Sequence, residues 1–137
     1  MIMCVCVDES MGMSFNRRRQ SRDKKLTERL LSICAERKLY ISDYSRPLFE
    51  GFAADNIIVS QNFSEAGSAD ICFFELEHVS EYAARADGII MYRWNRKYPS
   101  DKKFPFVPSD KGYVLESSID FSGNSHEKIT EEVWVRK

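Results

Sequence analysis

The sequence predicts an α/β protein: one domain over residues 1–137, with a mixed, mostly parallel sheet, flanking helices and a C-terminal antiparallel hairpin. Three observations carry that expectation. Short apolar runs rich in β-branched residues, such as IMCVCV at residues 2–7, have the unbroken hydrophobicity of strands buried on both faces. Segments with apolar residues at helical spacing fall between them. The last two strand candidates alternate instead, as antiparallel strands with one wet face do.

In chain order, residues 2–7 form the first strand, and residues 8–16 a loop turning through Met11-Gly12-Met13. Ser21 is a suitable N-cap, and Leu26, Leu30, Ile33 and Cys34 make an apolar helical stripe through about Arg37. Leu39-Tyr40-Ile41 is a short second strand; residues 42–55, broken by Pro47 and Gly51, are irregular. Residues 56–60 (NIIVS) and 71–74 (ICFF) read as strands around a polar turn. Residues 79–86 read as a short helix and 88–94 (GIIMYRW) as a strand. Three prolines restrict the loop after residue 98. Residues 112–121 and 129–135 form the closing pair at the sheet edge.

A chain with 43% hydrophobic and 30% charged residues can bury a real core. Net charge is −1, so affinity for phosphate or nucleic acid must come from a local patch. No apolar run approaches a membrane span, and the N-terminal run lacks a basic flank and cleavage site, so it reads as a strand and not a signal peptide. Cytoplasmic is the expectation. Cys4 and Cys6 form C-x-C, with Cys34 and Cys72 remote; this spacing suits buried packing residues better than a disulfide or metal site.

Val7-Asp8 to Gly12-Met13 fits V-D-x-x-x-G-[IM]. Residues 86–93 (ADGIIMYR) fit A-D-x-[LI]-Y-L-T-R, and residues 101–105 (DKKFP) fit D-T-x-F-P. With the terminal hairpin ending in Arg136-Lys137, the order of these segments resembles the dihydrofolate reductases, shortened in the middle. The resemblance implies that fold, and it places Asp23 within a residue of the acid that protonates the pterin. The departures bear on function. The family's Gly-Gly pair, which lets backbone amides approach the NADPH pyrophosphate, is Phe74-Glu75 here. Ser42-Asp43-Tyr44-Ser45 replaces its Gly-Arg-x-[ST] turn, and Tyr92 replaces the acid's Thr partner. The expectation is therefore no NADPH, and no hydride transfer. The chain also resembles small bacterial proteins labelled ribonuclease Z, which share D-x-x-x-G-M-x-F-N-x-R-R-Q-S-x-D. That activity needs a histidine–aspartate cluster around zinc, and His78 and His126 do not supply it.

Residues 17–25 carry six cations and one acid. Arginine forks suit phosphate or carboxylate, although such a run can equally be a solvated loop. The resemblance places Arg17, Arg18, Arg19 and Arg22 beside Tyr92, Arg93, Trp94 and Arg96, so that both groups border one cleft where phosphates pair and bases stack. Asp23 lies between Arg22 and Lys24 and reads as a salt-bridging first-turn residue more readily than as a proton donor. Ser125-His126-Glu127 is no triad, because neighbours in an extended segment face opposite ways. His78 reads as a surface residue; no metal site is expected.

The leading expectation is a non-catalytic binding protein without a cofactor, holding an anionic ligand such as a nucleotide or nucleic-acid segment. The alternative is a protein-interaction module, such as an inhibitor from a mobile element, docking on an acidic protein surface. A residual reductase, or a hydrolase acting through Asp23 or His126, is the third.

Overall fold

Ile2–Val7 (β1) runs through the middle of a seven-stranded sheet in the computed structural model, which describes residues 1–137. The chain continues through Gly12–Phe15 (β2), Arg18–Arg19 (β3), Lys24–Ile33 (α1), Leu39–Ile41 (β4), Ile57–Val59 (β5) and Ile71–Phe73 (β6). Val79–Tyr82 (α2), Gly88–Arg93 (β7), Lys102–Lys103 (β8), Tyr113–Phe121 (β9) and Ile129–Arg136 (β10) complete it. The main sheet has the order β5-β4-β6-β1-β7-β10-β9. Its first five strands are parallel, and β10 joins antiparallel between β7 and β9. This is the mixed α/β architecture with a C-terminal hairpin that the hydrophobic pattern predicts.

Because side chains alternate along a strand, β1 and β7 feed two cores. Met3, Val5, Ile89 and Met91 pack with Phe63, Phe74 and Phe104 on one face. Cys4, Ile90 and Tyr92 pack on the other with Leu26 and Leu30 of α1 and Cys34 just past its end. Leu30 is fully buried, which is worth about 2 kcal/mol. The four cysteines are free. Burial pushes the Cys34 and Cys72 thiols up to about 12, as expected for packing residues. No helix is long and apolar enough to cross a membrane.

Three local expectations need correction. The N-cap of α1 is Asp23, not Ser21, because the Asp23 carboxylate accepts from the amides of Lys25 and Leu26. The helix stops at Ile33 because residues 34–37 close into turns, with the Arg37 amide bonded to the Cys34 carbonyl. Residues 8–16 are not all loop: β2 pairs antiparallel with β3 and β8 in a small second sheet. Asn16 and Arg17 have φ of 52° and 61° and connect the paired residues Phe15 and Arg18, the backbone signature of a tight two-residue hairpin turn.

At the far rim, β9 is an edge strand. Val114, Leu115 and Ile119 lie exposed on it, interspersed with Glu116 and Asp120.

Candidate functional site

The carboxyl ends of β1, β6 and β7 open toward the β2–β3 hairpin and the start of α1, where open α/β sheets hold their ligands. Asp8, just past β1, organises this end. Its carboxylate accepts from the amides of Gly12 at 2.7 Å, Ser10 at 2.9 Å and Tyr98 at 3.0 Å, and from Gln20 Nε2 at 3.2 Å. Burial works against this charge, but those donors outweigh it and lower the Asp8 pKa. Asp8 thereby ties the hairpin, Gln20 and the 98–100 segment into one rim.

Across the rim lies a buried polar cluster. The Asp23 side chain is fully buried and faces His126 Nδ1 at 3.0 Å. It also accepts from the amides of Asn124 and Ser125, both at 2.8 Å, besides the two helix amides. Burial would raise its pKa, but the Asn124 and Ser125 amides, His126 and the Lys25 amide hold it well below the usual carboxylate range. The cause is hydrogen bonding and not the neighbouring cations, and so ionised a group is a poor proton donor. Gly123 lets the hairpin loop come this close: a Cβ there would sit 2.5 Å from Asp23 Oδ2. With the carboxylate against Nδ1, the neutral form of the ring carries its proton on that nitrogen and leaves Nε2 as an acceptor. Two hydroxyls converge on it, Tyr98 at 3.0 Å and Ser21 at 3.1 Å. Trp94 stacks on the imidazole with ring centroids 4.6 Å apart.

A second pair bridges the cleft. Arg19 holds Glu75 through Nε at 2.8 Å and Nη2 at 3.1 Å, a bidentate fork. Ser45 donates to the same carboxylate at 2.7 Å, and the guanidinium lies 4.4 Å from the Tyr44 ring centroid. Between this bridge, Trp94, Phe49 and Leu30 the cavity is about 20 Å³, room for about one water molecule. Outside it, a groove of about 340 Å³ runs between Phe15, Arg18 and Gln20 on one side and Tyr98-Pro99 on the other.

The candidate residues separate accordingly. Arg18 lines the outer groove, and Arg22 and Arg96 flank Ser125, whose hydroxyl donates to the Arg22 carbonyl at 3.2 Å while Arg96 reaches its carbonyl at 3.4 Å. All three are exposed and none is in an ion pair. Trp94 lines the inner cleft. Arg17 lies across the hairpin, beside Leu76, His78 and Asp101. Arg19 is engaged by Glu75. Tyr92 is not a cleft wall but a fully buried core residue donating to Glu131 at 2.9 Å. Arg93 projects to the other face of the sheet and pairs with Glu132 at 2.9 Å. Ser125 and Glu127 are not a triad with His126; the partners that matter, Ser21 and Asp23, lie more than a hundred residues away. The one signal for them was the family frame, which put Asp23 at a helix head and His126 in the last hairpin.

The fold is that of the dihydrofolate reductases. A solved structure, the dihydrofolate reductase from Enterococcus faecalis complexed with NADP(H) and RAB-propyl, superposes with a TM-score of 0.66 over 100% of this chain and 96% of that one, at 11% identity. No family model and no curated protein matches the chain. The residues where that family holds its dinucleotide do not fit one here. Phe74 is buried, its ring 5.0 Å from Phe63 and 5.5 Å from Tyr82. The amides that would face a pyrophosphate are taken: Phe74 N donates to the Cys4 carbonyl and Glu75 N to Glu77 Oε1, both at 2.9 Å. Glu75 adds a negative charge at that place.

Proposed function

We propose that this chain uses the dihydrofolate reductase fold for binding and not for hydride transfer. Its ligand is anionic, a nucleotide or a short nucleic-acid segment, and it lies in the outer groove. One observation carries the reading: Arg18, with no acidic partner, lies between two accessible aromatics, Phe15 and Tyr98, in a groove of small-ligand size. A base stacks on a ring while guanidinium groups take phosphate oxygens. Arg22 and Arg96, beyond Ser125, extend the positive surface, and the N-terminal end of α1 adds its dipole. Arg17, across the hairpin, and the paired Arg19 and Arg93 are not contact residues in this reading. Four free thiols suit a reducing, cytoplasmic setting.

Anisotropy titrations with labelled mononucleotides and short single strands test it. Binding should weaken steeply with salt, and alanine at Arg18, Arg22 or Arg96 should each flatten the salt slope by about one. Binding that ignores salt, or that survives all three substitutions, removes the reading. The exposed Phe15 beside arginines also has the composition of a protein interface, which favours a second reading, a module docking on an acidic protein surface. A partner captured from lysate that withstands nuclease treatment would favour that one.

A further inference from the structure

Ser21, His126 and Asp23 have the connectivity of a nucleophile, a base and the group that orients the base. The hydroxyl lies 3.1 Å from Nε2, and the carboxylate 3.0 Å from Nδ1. Holding the hairpin loop against α1 does not need the first of these contacts. Asp23 already takes the Asn124 and Ser125 amides, and Ser125 already reaches the Arg22 carbonyl. Ser21 makes no side-chain hydrogen bond other than that to Nε2, is only partly buried, and lines the inner cleft. Ser21 lies two residues before the N-cap of α1, near the positive end of a helix, where negative charge on an oxygen is favoured.

We propose that Ser21 is the nucleophile of an esterase site, with His126 as general base and Asp23 as its positioning residue, acting on carboxylic esters of small acyl groups. As Ser21 Oγ bonds to the acyl carbon, its proton passes to Nε2. The carbon–oxygen bond to the leaving alcohol then breaks, and that alcohol takes the proton from Nε2. Water repeats the sequence: its proton goes to Nε2, its oxygen bonds to the acyl carbon, and the bond to Oγ breaks as Oγ regains the proton. Ester and water become carboxylic acid and alcohol, with no change in oxidation state.

The two cavities set the substrate class. Ser21 lines the inner space of about 20 Å³, which suits a small acyl group, and Arg19 and Gln20 line both this space and the adjoining outer groove of about 340 Å³, toward which the alcohol would extend. Arg18, Arg22 and Arg96 favour an alcohol carrying negative charge; that preference rests on the binding reading above, whereas the nucleophile does not.

The experiment uses the full chain with two reagents, p-nitrophenyl acetate and a small alkyl fluorophosphonate. The expected results are nitrophenolate release and a single phosphonyl adduct that peptide mapping places on Ser21. Ser21→Ala should abolish the adduct and lower release by about 100-fold or more, and His126→Gln should do the same. Ser21 has one side-chain partner, so Ser21→Ala should fold as the parent does, and matching circular dichroism and melting curves would establish that. An adduct elsewhere, no adduct, or acetate hydrolysis unchanged in Ser21→Ala overturns the proposal. Failure of the anion-binding reading would appear separately, as loss of salt-dependent nucleotide binding while Ser21 labelling persists.

Discussion

Replacing Asp23 by asparagine should destabilise this protein by about 3–5 kcal/mol, and the structure says why. The two carboxylate oxygens divide their donors. Oδ1 accepts from the Lys25 and Asn124 amides at 2.9 and 2.8 Å, and Oδ2 accepts from the Ser125 amide and His126 Nδ1 at 2.8 and 3.0 Å. An asparagine amide presents one oxygen and one NH2. Whichever way it turns, at least two donors face a donor, at about 1–3 kcal/mol each, and the helix cap weakens as well. Against a total stability of about 5–15 kcal/mol the loss is large. Urea unfolding at pH 7 measures it. The pH dependence is a second readout. The folded chain holds Asp23 below the ordinary carboxylate pKa of about 3.9, so protonation is easier in the unfolded chain. The stabilisation is therefore present above about pH 4 and is lost as pH falls below it. The parent should lose more stability between pH 5 and pH 2 than Asp23→Asn does. A loss under about 1 kcal/mol at neutral pH, or parallel pH profiles, would refute the claim that this carboxylate joins α1 to the last hairpin.

Arg17→Gly should raise stability by about 1 kcal/mol, because Arg17 sits at φ of 61° where glycine has no steric cost. The melting temperature should rise by about 3 °C, and an unchanged or lower value would contradict the turn geometry. Arg19→Ala leaves Glu75, 8% exposed, with Ser45 and no cation. It should cost about 3 kcal/mol, and adding Glu75→Ala should return part of that loss. Additive effects in urea unfolding of the double-mutant cycle would show that the two are not coupled.

The strands were legible because each apolar run is short and continuous, and because a strand buried on both faces leaves that mark whatever surrounds it. The hairpin of β2 and β3 was not, since two- and four-residue strands carry no periodicity and Asn16-Arg17 lacks the glycine that usually marks such a turn. Ser21 was a reasonable cap by residue type; only the tertiary approach of the Gly123 loop shows why Asp23 takes the role. The arginine run was legible as charge but not as direction. Arg19 and Arg93 turn to Glu75 and Glu132, at sequence separations that no local pattern encodes. Tyr92 was drawn into the cleft by its basic neighbours, yet strand alternation sends Tyr92 and Arg93 to opposite faces.

The rim strand Tyr113–Phe121 has a consequence for how copies of this protein meet. Its outer backbone groups are unpaired, and such a border invites another strand to add on. Two copies laid antiparallel about Ser118 would set Glu116 of each against Asp120 of the other, so like charges oppose the join at neutral pH. The carboxylates thus guard a border on which Leu115 and Ile119 would otherwise invite a neighbouring molecule to zip on.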